Sequence, residues 1–354
     1  MKYFWTMNNK KAPTLFDFID KQRQLSAHKD PLAKLHAVID WEAFRPVITR
    51  AFPVVDYSTG GRPPYDKVMM FKILVLQHFY DLSDAETEFQ LQDRLTFMRF
   101  VGLGLNDSVP DQNTIRNFRE ALTRFGQVDS LFEAFGKRLS EAGFLVRKGS
   151  IVDASLVSAP IQRNSKEENR RIKEGATPED WSEKKRSHKD TEARWTRKNN
   201  RNYFGYKTHI KIDSGSKLIT SYDTTAANIN DNNVLVNLLD DSDAGTTLHG
   251  DSAYRSREIE ALLKKQGIRS RIQERGGYNH PLTEAQQASN RKKSKVRVRV
   301  EHVFGWMHRN VQEICVRTIG RQRAAGKMAI LNLVYNMARV VQLIVAGRRR
   351  VQPV

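Results

Sequence analysis

The chain has 354 residues, enough for two domains at roughly 100–200 residues per domain. A hydrophobic content of 39% beside 28% charged residues marks a globular protein and excludes wholesale disorder. Lysine and arginine number 59 against 40 acidic residues, a formal charge of +19, which points to a polyanion such as nucleic acid ahead of a merely basic enzyme or a membrane-surface binder.

The opening stretch, MKYFWTMNNKKAPTLF, holds no apolar run of signal-peptide length, so no secretion signal is expected. Residues 1 to about 145 read as helical. In PPYDKVMMFKILVLQHFY apolar residues fall on nearly every face from Val68 to Phe79, the pattern of a helix buried inside its own bundle. Ser83-Asp84-Ala85-Glu86 is a capping-box pattern and predicts a helix running towards Phe100. After the turn-rich GLGLNDSVPDQN, the segment TIRNFREALTRFG aligns Ile115, Phe118, Leu122 and Phe125 in one stripe, with Arg116, Arg119 and Arg124 away from it. Two helices with a basic second member suit a helix-turn-helix. The connection is long for that motif, and an ordinary helical bundle accounts for the pattern equally well.

From about residue 149 the pattern changes to strands. SIVDASLVSA, YFGYKTHIKID, KLITSYDTTAA and TTLHGD are short, rich in β-branched or aromatic residues, and bounded by turn formers. Ser214-Gly215-Ser216 marks a hairpin between the second and third. Helices are expected at VLVNLLD and between Arg257 and Lys265, ahead of a strand-like IRSRIQ. Hairpin strands followed by strand–helix alternation imply an α/β architecture, a mixed sheet covered by helices. Residues 162–201 interrupt it with an almost purely polar insertion of both charge signs. Its composition predicts exposure or disorder, with Trp181 and Trp195 arguing for partial order; a basic arm on nucleic acid and a passive loop explain it equally well.

Three acidic residues carry the chemistry. Asp153 and Asp251 end short apolar strands, where a carboxylate is costly unless a cation holds it. In SIVDAS, alternation puts Ile151 and Asp153 on one face and Val152 on the other. Glu301 lies on a predicted amphipathic helix whose stripe is Val296, Val300, Val303, Met307, Val311 and Ile314, with Arg297, Gly305 and His308 at nearby angles. Taken singly, each has a plainer account: a helix cap or turn former for the aspartates, an i−4 salt bridge to Arg297 for the glutamate. Taken together, they suit phosphodiester chemistry, which needs an activated water and charge relief at the leaving oxygen. Two divalent ions supply both, and Mg²⁺ accepts a few hard carboxylate oxygens plus substrate phosphate.

The run RKKSKVRVR before Glu301 holds Lys292, Lys293, Lys295 and Arg297 with no acid, and phosphate contact explains it better than a merely solvated segment. Nine histidines are poorly spaced for metal, with His302 and His308 on different sides of their helix and His209 and His249 inside strands. No zinc site is expected. Cys315 is the single cysteine, which excludes an intrachain disulfide and fits a reducing cytoplasm. The most apolar stretch, MAILNLVYNMARVVQLIVAG, is interrupted by Asn332, Asn336 and Arg339, so a packed helix is expected rather than a membrane span.

The stretches GRPPYDKVMMFKILVLQHFYDLSD, SVPDQNTIRNFREAL, IVDASLVSAP, YFGYKTHIKID, TTAANIND, the Asp-Ser-Ala-Tyr of GDSAY, and RVRVEHVF occur in that order across most of residues 60–335. In these the chain resembles the DDE transposases of bacterial insertion sequences, in particular the insertion sequence 5 family. The resemblance implies an RNase H-like catalytic core over 146–345 with Asp153, Asp251 and Glu301 as catalytic metal ligands for two Mg²⁺ or Mn²⁺ ions. It also implies a helical DNA-binding and dimerisation domain over 1–145 and a basic tail over 346–354. The family's arginine four residues before the glutamate is Arg297. Ser294 stands where the family's tyrosine is expected, and His308 takes the lysine position, with Arg309 beside it as a substitute. The implied partner is double-stranded DNA, namely terminal inverted repeats and target, bound by at least a dimer in the cytoplasm and nucleoid. Arg116, Arg119 and Arg124 are candidate contacts to those repeats. A cleavage-inactive DNA-binding descendant and a simple nuclease of the same fold are the rival functions.

Overall fold

The computed structural model describes residues 20, 23–24, 30–52, 63–277, 280–308 and 314–347. Arg309, Val311 and the terminal arginines 348–350 therefore lie outside the described residues.

The N-terminal region is a run of helices: α1 (Pro31–Val38), α2 (Arg45–Thr49), α3 (Lys67–Tyr80), α4 (Asp84–Asp93), α5 (Leu95–Val101), α6 (Gln112–Arg124) and α7 (Gln127–Glu141). Helix α3 starts at Asp66, whose carboxylate accepts from the N–H groups of Val68 and Met69, and it is buried from Ile73 through Phe79. Ser83 caps α4 by accepting from the Glu86 N–H at 3.1 Å. The single helix expected from there to Phe100 is instead two, broken at Arg94, whose backbone is extended. The break lets Leu91 on one helix and Phe97 and Phe100 on the next reach the same core. On α6 the stripe of Ile115, Phe118 and Leu122 is buried, but Phe125 is 54% exposed. It sits past the last helical turn, just before Gly126 with φ of 64° redirects the chain into α7.

Beyond the bundle a six-stranded sheet forms from β1 (Ser150–Ser158), β2 (Arg194–Lys198), β3 (Arg201–Asp213), β4 (Ile219–Ala226), β5 (Thr247–Gly250) and β6 (Arg269–Ile272). Pairing runs β2–β3–β1–β5–β6, with β4 also on β3. Strands β1 and β3 are antiparallel with Asp153 opposite Ile210, while β5 is parallel to both β1 and β6. The turn between β3 and β4 is held by Asp213, one oxygen of which accepts from the N–H groups of Gly215 and Ser216. A mixed sheet in this order, flanked by helices, is the RNase H-like core that the resemblance implied.

Residues 162–201 are ordered, contrary to the reading from composition. They form α8 (Lys166–Lys173), α9 (Glu183–Ser187) and the strand β2. A capping box between Ser165 and Glu168 starts α8, and Glu168 also accepts from the Trp181 indole N–H at 2.7 Å and from Lys185 at 2.5 Å. Trp181 is thereby buried, whereas Trp195 stays half exposed against Phe204. Glu168, with the buried Asp190 that accepts from the Glu192 and Ala193 N–H groups and the Tyr206 hydroxyl, ties down a segment whose composition looks solvated.

Two apolar layers cover the sheet. Ile151, Val157, Tyr206, Ile210 and Ile212 join the N-terminal helices in one continuous core. Val152 and Leu248 meet a smaller cluster from α10 (Asp231–Leu238) and α11 (Arg257–Lys265) on the opposite face. The alternation expected for SIVDAS is thus realised. Also in the large core are Val300, Val303 and Met307 of α12 (Glu284–Met307) and most of α13 (Arg321–Val345). Helix α12 ends at Met307, so Ile314 is not part of its stripe; the Ile314 carbonyl instead accepts from the Ser158 N–H at 2.9 Å. Although α13 is long and apolar enough to cross a membrane, it is mostly buried within the protein. Its Asn336 side chain accepts from the Ile219 N–H and donates to the Ile219 carbonyl, both at 2.8 Å, tying the bundle to the start of β4.

Candidate active site

Asp153 lies mid-strand on β1, on the face covered by α12. One carboxylate oxygen accepts from the Ala154 N–H at 2.9 Å, and the other accepts from Arg297 Nη1 at 2.8 Å. Arg297 Nη2 in turn donates to Glu301 at 3.1 Å. One guanidinium thus links a strand carboxylate to a helix carboxylate. The salt bridge that could have explained Glu301 by itself is present, but its arginine is shared with Asp153, so the pair is not a plain surface ornament.

Asp251 follows β5 and caps the 3₁₀ turn Ser252–Tyr254, accepting from the Ala253 N–H at 2.9 Å. It is near enough that its charge acts on Asp153. Burial pushes the Asp153 carboxyl up to about 6; Arg297 and the Ala154 N–H pull it down, and Asp251 pushes it up again. The group is held where its ionised form is costly, and an added cation would remove that cost.

The residues suit a hard divalent ion in their donor chemistry: two aspartates on adjacent parallel strands, with a third carboxylate on the covering helix. As placed, no three acid, histidine or cysteine side chains among the described residues are grouped to enclose an ion. Glu301, 53% exposed at its side chain, is engaged by Arg297. Asp153 and Asp251 offer hard carboxylate oxygens, while Glu301 is held by Arg297.

The basic run before Glu301 divides by helical geometry. Lys293 donates to the Ile272 carbonyl at 2.8 Å, and Arg299 donates to the Ser214 carbonyl at 2.5 Å, so both clamp α12 onto the sheet. Lys292 and Lys295 are exposed. Ser294, at the position expected for tyrosine, accepts from Gln273 Nε2 at 2.6 Å. His308 is half-buried at the C-cap of α12.

Of the three arginines on α6, Arg116 and Arg124 are exposed. Arg119 grips both oxygens of Asp84, at 2.5 and 2.9 Å, and also reaches Gln77, so its fork joins α3, α4 and α6. His209 is buried with Nε2 3.0 Å from the Thr225 hydroxyl oxygen, and burial pushes its pKa down to about 4. Sequence reading missed Tyr254, fully buried beside Gly250 with an unpartnered hydroxyl within the influence of Asp153 and Asp251. It also missed Lys198, whose charge reaches Asp153. The tyrosine was visible in GDSAY; nothing local distinguished the lysine.

Residues 145–337 match the family described as Transposase DDE domain, and residues 19–121 match that described as Transposase domain (DUF772). Among solved structures, the piggyBac transposase synaptic complex with hairpin DNA is similar at 12% identity and a TM-score of 0.48, covering 93% of this chain and 78% of that one. A pre-cleavage Mos1 transpososome is similar at 12% identity and a TM-score of 0.20, covering 97% of this chain and 90% of that one. With more than half of its length matched by the first of these families, the chain belongs to the transposase DDE domain family.

Proposed function

We propose that this protein is a transposase of the insertion sequence 5 type, which binds the terminal inverted repeats of its element, cuts DNA there and joins the freed ends to target DNA. The observation that carries the reading is the shared guanidinium: Arg297 bridges Asp153 and Glu301 while Asp251 acts on Asp153 from the neighbouring strand. Asp153, Asp251 and Glu301 are assigned as the residues that hold two Mg²⁺ or Mn²⁺ ions. When bound, such ions supply an activated attacking oxygen and charge relief at the leaving one.

The chain's own groups do the rest. The costly ionisation of Asp153 favours cation binding, and the sheet fixes its oxygen against α12. Arg297, whose two Nη groups bond Asp153 and Glu301, keeps those carboxylates from repelling one another. Lys292 and Lys295 are exposed on the same helix, and His308 and Arg309 are assigned as further DNA contacts. Lys293 holds α12 in place. Arg116 and Arg124 are the contacts assigned to the inverted repeats. Arg119 is assigned to holding their helix. Pairing two element ends calls for at least a dimer on DNA, working in the cytoplasm at the nucleoid.

The test is a joining assay. Purified protein is mixed with labelled element ends, a supercoiled plasmid and Mn²⁺. The reading predicts labelled plasmid, abolished by Glu301→Gln. Specific binding without any nicking would instead make this a cleavage-inactive DNA-binding protein, and nicking without joining a simple nuclease.

A further inference from the structure

Arg317 follows a short extended segment that is fixed to the end of β1. The Ser158 N–H donates to the Ile314 carbonyl at 2.9 Å, and the Val316 N–H donates to the Ser158 carbonyl at 2.8 Å. From the other side the polar insertion holds the residues that come next. Asp190 accepts from the Gly320 N–H at 3.1 Å, and Glu192 accepts from the Arg321 N–H at 2.8 Å. Backbone hydrogen bonds on both sides thus set the place of Arg317 independently of its own side chain.

Cavities open on either side of this segment. One, of about 400 Å³, lies between it and the insertion, where Arg163, His188 and Lys189 line it. The other, of about 440 Å³, lies between it and helices α3, α6 and α13. Arg317 and Thr318 line both, so the two adjoin at one arginine and cross from the insertion to the helical bundle.

The charges along them are unevenly matched. On the bundle side each carboxylate faces a cation: Asp84 holds Arg119, Glu120 accepts from Arg323 Nε at 2.7 Å, and Asp81 is 3.9 Å from Lys327 Nζ. On the insertion side the lining acid is Asp190, which is buried and accepts from the Tyr206 hydroxyl at 2.8 Å. Arg163, Lys189 and Arg317 form no ion pair with a carboxylate among the described residues, and both arginines are exposed. Lys189 Nζ donates to the Arg163 carbonyl and to Asn164 Oδ1, both at 2.7 Å, which positions its charge without neutralising it. A lone phosphate would fill one cavity. A duplex, with one charge per about 1.7 Å of axis, can run past both and meet all three cations. Since β1 spans Ser150–Ser158, this groove begins about 17 Å beyond Asp153 along the strand, apart from the carboxylates assigned to cutting.

We propose that Arg163, Lys189 and Arg317 grip the phosphate backbone of double-stranded DNA in this groove. The proposal deepens the DNA-cutting reading above and rests on it. It gives the polar insertion a task that neither its composition nor the family matches assign.

The experiment compares wild type with Arg163→Ala/Arg317→Ala and with the charge-keeping Arg163→Lys/Arg317→Lys, all as full chains. Should the alanine pair fail to fold in thermal melts, Arg163→Gln/Arg317→Gln takes its place. Binding to labelled element ends is measured across a salt series. The alanine pair should lower the log–log salt slope by roughly two, since each lost phosphate contact in duplex removes about 0.9, and the charge-keeping pair should retain the wild-type slope. An unchanged slope in the folded alanine pair overturns the proposal. If inorganic phosphate then raises the Tm of wild type and not of the variant, the groove is a small-anion site. If sedimentation instead shows that the variant has lost self-association, the groove is a contact between two copies of the chain. Failure of the cutting reading shows separately, as a wild type that binds without nicking while the slope still falls in the alanine pair.

Discussion

Arg297 Nη1 donates to Asp153 Oδ2 at 2.8 Å although 144 residues separate them in sequence. The contact links α12 to β1 and opposes the burial that raises the pKa of the carboxylate. Arg297→Ala should therefore leave Asp153 and Glu301 without their shared counter-charge. Cleavage should drop by about 100-fold, the scale seen when one donor to a developing charge is removed. Single-turnover cleavage of labelled ends checks this, with circular dichroism to show that the variant is folded. Arg297→Lys should recover only part of the loss, because an ammonium cannot reach two carboxylates with a planar fork.

The raised pKa of Asp153 makes a statement about stability. Its folded value of about 6 lies above the ordinary aspartate value of 3.8. The folded state thus binds the proton more tightly, and this group costs stability as pH rises between those two values. Above the upper one the cost is about 3 kcal/mol, since a tenfold difference in proton affinity corresponds to about 1.4 kcal/mol. In metal-free protein, Asp153→Asn should raise Tm at pH 7.5, and the gain should shrink as pH falls towards 4. Thermal melts of both proteins across that range test it; a Tm lower than wild type at pH 7.5 would contradict the assignment of cause. Added Mn²⁺ should raise the wild-type Tm at pH 7.5 and leave the variant nearly unmoved.

Arg119 shows how much a basic residue's position in sequence leaves open. Its fork is held by the half-buried Asp84, so Arg119→Ala strands a carboxylate between three helices. That should cost roughly 2–4 kcal/mol of stability. Arg116→Ala and Arg124→Ala, at exposed positions, should cost under about 0.5 kcal/mol and weaken binding to element ends instead. Chemical denaturation alongside gel-shift titration separates the two behaviours.

The catalytic half was the more legible part of the sequence. Strands such as Ser150–Ser158 carry their period in few residues, and Asp153 and Asp251 each interrupt an apolar run. Helix ends were less legible. The stripe through Ile314 failed because angular periodicity continues on paper after a helix has stopped at Met307. Likewise the break at Arg94 is fixed by the core reached from both sides, which no capping pattern encodes. The insertion was misjudged because composition counts Glu168 as solvated, while in the fold it caps a helix and binds Trp181. Nothing in the sequence around Lys198 marked it as a residue whose charge reaches Asp153.

Asn336 joins the two halves through a fully buried pair of hydrogen bonds to Ile219. Asn336→Leu would leave both main-chain groups of Ile219 unpaired away from water. The expected cost is roughly 2–6 kcal/mol, at about 1–3 for each of the two stranded groups. Denaturation midpoints measure it, and a loss below about 1 kcal/mol would show that the edge of β4 finds other partners.

On the proposed function, carboxylates from β1, the turn after β5 and α12 act as one metal-dependent centre for cutting DNA. Asp251→Asn tests it most directly, because the amide oxygen can still accept from the Ala253 N–H and the 3₁₀ turn should persist. With Mn²⁺ and labelled element ends, the account predicts strand cleavage by wild type and none by the variant, at equal Tm and equal DNA binding. Cleavage by the variant at the wild-type rate would contradict it.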